Sequence, residues 1–160
     1  MAEKKVTPTI EEMVTDLIDG DKLKNFLDFN DFLKNNRFAK AKTAKNSCTW
    51  AVKHKNMNIC SLRVRNDHWY ITYFKGFTRK KWFDKCEKYI TDELKQFILD
   101  NININTAPGI CCGGVQNVTI LGEKFANVCH CHPLWVNSPN GKALDYAKEL
   151  VLIGKNIVTE

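Results

Sequence analysis

From Ile10 the apolar residues return at three- and four-residue steps, as Ile10, Met13, Val14 and Leu17. That spacing predicts a short amphipathic helix, interrupted at Gly20. A second helix is expected from an N-cap at Asp21, with Leu23, Phe26, Leu27, Phe29, Phe32 and Leu33 as its apolar residues. The polar stretch NNRFAKAKTAKNS that follows reads as a loop.

Between residues 48 and 74 the period changes to two. CTWAVKH places Cys48, Trp50 and Val52 on one face of an expected strand, and ICSLRVR does the same for Cys60, Leu62 and Val64. KNMN between them is the expected hairpin turn, and NDH leads into a third strand, WYITYF. The economical arrangement is a three-stranded antiparallel meander, with Lys53, Arg63 and Arg65 on the face opposite the apolar set.

A long helix is expected from a cap at Thr78 to about Asp100, on the repeat of Trp82, Phe83, Cys86, Tyr89, Ile90, Leu94, Phe97 and Ile98. NININTAPG ends it, and NVTILGEKFANVC suggests one or two short strands around Gly122. A final helix is expected with Ser138 as cap, Pro139 in its first turn, and Leu144, Ala147, Leu150, Val151 and Ile153 as its stripe. Grouped strands followed by helices argue for an α+β fold: a three-stranded antiparallel meander packed against helices, with a small cysteine-rich loop and strand segment before the C-terminal helix.

The 160 residues suit one domain, with residues 1–8 expected to be disordered and residues 106–137 forming a cysteine-bearing subregion. Hydrophobic residues at 44% and charged residues at 26% allow a packed core. No apolar run approaches the roughly 20 residues of a membrane span, and MAEKKVTPTIEEM has no apolar signal region. The expected compartment is therefore the cytosol, with no membrane partner. Twenty lysines against four arginines, together with sixteen asparagines, suggest a bacterium with an AT-rich genome.

Charge is unevenly distributed. Residues 33–81 contain thirteen lysines and arginines and a single acid, Asp67, whereas the flanks together carry a net −6. The basic middle either packs beside its acidic flanks or offers a positive face to an anion. Trp50, Trp69, Tyr70, Tyr73, Phe74 and Phe77 interleave with these bases, which is the composition of a nucleic-acid binder. No signature of a known nucleic-acid motif accompanies it. The same aromatics could instead form the core of the sheet, or line a small-molecule pocket in which Arg63 or Arg65 holds a carboxylate or phosphate. Trp50, Arg63, Arg65, Trp69 and Tyr73 are the candidate ligand-binding residues of this reading.

The densest chemistry lies in GICCGG and NVCHCHP, which gather Cys111, Cys112, Cys129, His130, Cys131 and His132. Zinc favours four cysteine or histidine ligands supplied as two short pairs, and Cys111–Cys112 with Cys129–Cys131 is such a set. His132 or His130 could replace one of them. The pairs depart from C-x-x-C spacing, and adjacent cysteines reach one metal only within a turn, which the flanking glycines permit. Buried structural thiols are the competing account. A redox pair is a third, although a disulfide between neighbouring cysteines would be strained. Cys48, Cys60 and Cys86 are expected in the core, and His54 and His68 at exposed turns.

The segments NICSLRVRNDHWYITYF and ILGEKFANVCHCHPLWVNSPNGKALDYAKELVLIGKNI resemble small cysteine-containing proteins of low-GC Gram-positive bacteria. Those chains share a GxxFxxVCxC-like segment, here Gly122, Phe125, Val128, Cys129 and Cys131. The resemblance covers most of the chain after about residue 25 and implies a shared domain without an assigned activity. No nucleophile elbow, P-loop, dinucleotide fingerprint or H-E-x-x-H motif is present, so catalysis is not expected. The leading expectation is a small cytosolic binding domain whose cysteine cluster holds zinc for structure. The alternative is an anionic small-molecule or nucleic-acid binder using residues 33–81.

Overall fold

Thr9 starts the first helix with a reciprocal cap. Its hydroxyl accepts from the Glu12 amide at 3.2 Å, and the Glu12 carboxylate accepts from the Thr9 amide at 2.8 Å. The computed structural model describes residues 7–44, 47–73, 82–105 and 114–160. In chain order the elements are α1 (Ile10–Thr15), α2 (Gly20–Asn35), β1 (Ala39–Lys42), β2 (Thr49–His54), β3 (Met57–Arg65) and β4 (His68–Tyr73). There follow α3 (Trp82–Cys86), a 3-10 turn (Glu87–Tyr89), α4 (Asp92–Asp100), β5 (Val115–Ile120), β6 (Glu123–Cys129), β7 (Leu134–Asn137) and α5 (Gly141–Thr159).

The fold is α+β, but its main sheet has five antiparallel strands in the order β1-β2-β3-β4-β7, not three. β1 falls in the stretch read from sequence as loop. Its Ala-Lys-Ala-Lys composition lacks the branched and aromatic residues of a central strand and suits an exposed edge. The β2–β3 turn is tighter than KNMN, with Lys55 and Asn56 both at positive φ as a two-residue hairpin loop requires. A second, two-stranded sheet is the β5–β6 hairpin, closed at Leu121 and Gly122.

One face of the main sheet carries Trp50, Val52, Leu62, Val64, Trp69, Ile71 and Tyr73, all buried against helices. Phe26 meets the Trp69 ring edge-on at 5.3 Å, and Phe29 packs on it from the next turn of α2. A bulge opposite Val52 and Lys53 turns Ile59 to the helical side together with Cys60, and Ile59 rests against Gly154 of α5. The stripe Leu144, Ala147, Leu150, Val151 and Ile153 is buried as the helical repeat predicts.

Three expected boundaries are corrected. The helix expected through residues 78–100 is broken: Ile90 is extended, and the Thr91 hydroxyl accepts from the Leu94 amide at 3.2 Å to begin α4 afresh. The proposed cap Thr78 lies outside the described residues. Asp19, not Asp21, precedes α2, because Gly20 turns the chain into the helix at φ +53°. Asn140, not Ser138, precedes α5. The Ser138 hydroxyl is instead committed to the backbone of Trp69, accepting from its amide at 3.2 Å and donating to its carbonyl at 3.0 Å.

Asn101–Asn105, read from sequence as a break, is a strap between the two sheets. Ile102 bridges Leu134 of β7, and Ile104 bridges Val128 of β6. Its backbone is fastened on both sides: the Trp135 amide donates to Asn101 at 3.0 Å, and the Cys129 amide donates to Asn103 at 2.9 Å. The pleated surface therefore runs from β1 through β7 and the strap to β6 and β5. Among the described residues no helix is long and apolar enough to cross a membrane.

Candidate functional site

Strand parity sorts the central residues. β3 and β4 pair with Arg63 opposite Tyr70, so both side chains stand on the face away from the helices. Thr49 of β2 lies across from Arg63 on its other side. The guanidinium is held between these neighbours: Nε donates to the Thr49 hydroxyl at 3.0 Å and Nη1 to the Tyr70 hydroxyl at 3.2 Å. Trp135 of β7 then stacks on Tyr70, with ring centroids 4.2 Å apart and planes 21° from parallel. His132 meets the same indole edge-on at 6.3 Å.

Arg63, Trp135 and His132 of this group line a cleft of about 750 Å³. Arg63 and Arg65 stand on β3, Trp135 on β7, Asp100 and the strap across from β3, Cys129 on β6, and His132 between β6 and β7. Residues four strands apart line one space, so the surface curls around it. That volume is typical of a small-molecule site. The strap's asparagine amides are partly spent on its own support, with Asn101 donating to Phe97 at 2.8 Å and Asn103 to His132 at 2.9 Å.

The electrostatics of the cleft are uneven. Lys22, Lys34, Lys88, Lys142 and Lys148 each pair with a carboxylate on the surface. Arg63 and Arg65 have no such partner among the described residues. Arg63 is half-buried and uses two of its five N–H donors on hydroxyls. Such a charge is stabilised by an opposite one, and no described carboxylate supplies it.

The sequence candidates divide. Arg63 and Arg65 share the cleft with Cys129 and His132, so parts of both functional readings meet there. Trp50, Trp69 and Tyr73 do not line it: they are 3, 0 and 0% exposed on the helical face. Cys129 is buried, and His130, Cys131 and His132 are half-buried. Cys111 and Cys112 lie outside the described residues, as do Phe74 and Phe77. Among the described residues no three Cys, His, Asp or Glu side chains converge as a metal site. Cys60 and Cys86 are core residues, and burial raises both thiols. His54 and His68 are half-buried, not exposed.

Trp135 and Asp100 are cleft residues absent from the sequence candidates. Tyr70 could have been chosen over Trp69 and Tyr73 by parity, since it alternates with them along β4. The fold and cleft define an α+β domain with helices behind an antiparallel sheet and a basic, aromatic groove on the other side. No protein-family model matches this chain, and comparisons with curated proteins and with solved structures find no match.

Proposed function

We propose that the protein is a non-enzymatic binding domain that holds a small anionic molecule between Arg63, Arg65 and Trp135. The observation carrying this reading is the half-buried Arg63 guanidinium, braced by Thr49 and Tyr70 and lacking a carboxylate partner among the described residues. Hydroxyls fix its plane without neutralising it, so the remaining donors suit a carboxylate or phosphate. A nucleic-acid strand is the weaker occupant, because Trp50 and Trp69 offer no open ring face for bases to stack on. The test is calorimetric titration with inorganic phosphate and with acetate, at two salt concentrations. Saturable binding that weakens with salt and falls about tenfold or more in Arg63→Ala is expected. Failure of the unmodified protein to bind either anion sinks the reading.

Structural zinc is the second reading, and the backbone around the cysteines supports it. The Gly114 carbonyl accepts from the His130 amide at 3.1 Å, and Val115 pairs with Cys129. Gly114 and Val115, two and three positions after Cys112 in sequence, are therefore held beside His130 and Cys129. In this reading Cys111, Cys112, Cys129 and Cys131 bind the metal, with His132 or His130 able to replace one of them. Metal content measured by mass spectrometry under reducing conditions decides it. One zinc per chain, with four thiols protected until chelator is added, is the expected result; metal-free protein with those thiols reactive removes it. The shared domain with cysteine-containing proteins of low-GC Gram-positive bacteria and a cytosolic location belong to the same proposal.

A further inference from the structure

We infer that the ligand is a flat heterocycle bearing an acidic group at one end and N–H donors at the other, with a purine nucleoside monophosphate as the simplest member of the class. This rests on the anion-binding reading and adds two features to it.

The ring comes from the stack. Trp135 lines the cleft, and Tyr70 backs it at 4.2 Å with nearly parallel planes. An indole supported in this way is fixed in orientation, and a ligand ring laid on its cleft side continues the stack. Aromatic stacking of this kind accepts any π-face, so it selects flatness rather than one particular base.

The donors come from the opposite wall. Asp100 is exposed at the cleft, and its Oδ1 accepts from Gln96 at 2.8 Å. It forms no ion pair among the described residues. Its place at the last residue of α4 adds the negative end of the helix to its own charge. This wall repels anions and accepts from N–H groups, while the β3 wall does the reverse. A ligand charged alike along its length is disfavoured at one end.

Length separates this ligand from a bare phosphate. β3 and the strap are three strand spacings apart, in the order β3-β4-β7-strap, or about 14 Å measured along the sheet. Curvature and the arginine side chain shorten the gap, but a single phosphate or carboxylate engages one wall only. A phosphate joined through a sugar to a base reaches both.

The experiment is equilibrium titration of the full chain with GMP, ribose 5-phosphate and inorganic phosphate, followed by the same series on Asp100→Ala and Trp135→Leu. GMP, whose base has adjacent N–H donors on one edge, should bind at least tenfold more tightly than ribose 5-phosphate. Asp100→Ala, at an exposed position, should weaken GMP several-fold without weakening ribose 5-phosphate; Trp135→Leu should reduce the advantage of the ring. Equal affinity for GMP and ribose 5-phosphate overturns this inference and leaves the anion site standing. An oligothymidylate that binds more tightly than GMP also overturns it, in favour of a nucleic-acid strand. Absence of binding by all of these probes overturns both readings.

Discussion

The phenol of Tyr73 donates to the backbone carbonyl of Ala147 at 2.7 Å, joining the end of β4 to the middle of α5 inside the core. Burial raises the Tyr73 ionisation well above its ordinary value, so the phenol remains a neutral donor. The bond fixes the height at which the helix crosses the sheet. Tyr73→Phe should lower stability by about 1 kcal/mol in urea unfolding. Its affinity for a cleft ligand should be unaltered, because the side chain lies on the other face.

Gly154 of α5 packs against Ile59 of β3 with no room for a side chain. A Cβ built there would stand 2.6 Å from Ile59 Cγ2, inside the contact distance of any two carbons. Alanine is the better helix former by about 1 kcal/mol, yet the clash should dominate, and Gly154→Ala should destabilise by about 1–3 kcal/mol. Thermal unfolding of Gly154→Ala alone and in an Ile59→Ala background checks the cause. If the contact is responsible, the glycine replacement becomes neutral or stabilising once the isoleucine is trimmed.

Glu11 ties α1 to α2. Its carboxylate accepts from the Asn30 amide at 2.7 Å and from the Lys34 ammonium, and the fully buried Asn30 accepts in turn from Lys40. The hydrogen bond from Lys34 is the main reason the Glu11 carboxyl falls from 4.5 to about 2. Since the folded value is the lower one, the stabilisation is complete above about pH 4.5 and disappears as pH drops toward 2. The side chains of Lys34 and Glu11 are 50 and 36% exposed, so solvent screening holds the contribution to about 1 kcal/mol or less. Urea midpoints measured down this pH range should fall less steeply for Glu11→Gln than for the unmodified protein.

The core thiols should be inert. Burial pushes the Cys86 thiol up to about 12 and raises that of Cys60 as well, so neither supplies thiolate near neutral pH. Brief alkylation of the folded protein, read by peptide mass spectrometry, should leave both unmodified while half-buried Cys48 reacts. Labelling of Cys60 before denaturant is added would contradict the packing described for β3.

The parts of the fold that local periodicity encodes were legible. The α5 stripe and the alternation of β2 and β3 depend on neighbours along the chain, and Arg63 and Arg65 stand on the face that alternation assigns them. β1 was not legible, because alanine and lysine express no strand preference and an edge position demands little of them. The break at Ile90 was hidden by an apolar repeat that continues across it, with Cys86 on one side and Leu94 on the other reaching the same core. Asn101–Asn105 carries a strand's period of two, Asn alternating with Ile, but asparagine's poor strand propensity concealed it. The cleft itself depends on Trp135 reaching Tyr70 from sixty-five positions away in sequence, a pairing no local window contains.

The strap gives the molecule an order of assembly. Both strands that clasp Asn101–Asn105 come later in the chain, Val128 in β6 and Leu134 in β7. A nascent polypeptide that has emerged as far as Asp100 already holds β1 to β4 and can begin to bury Trp50 and Trp69 against α2, while the wall facing Arg63 does not yet exist. Ligand can therefore be captured only once β6 and β7 have been made, and in the folded protein the amides of the strap should exchange with solvent before those of β3.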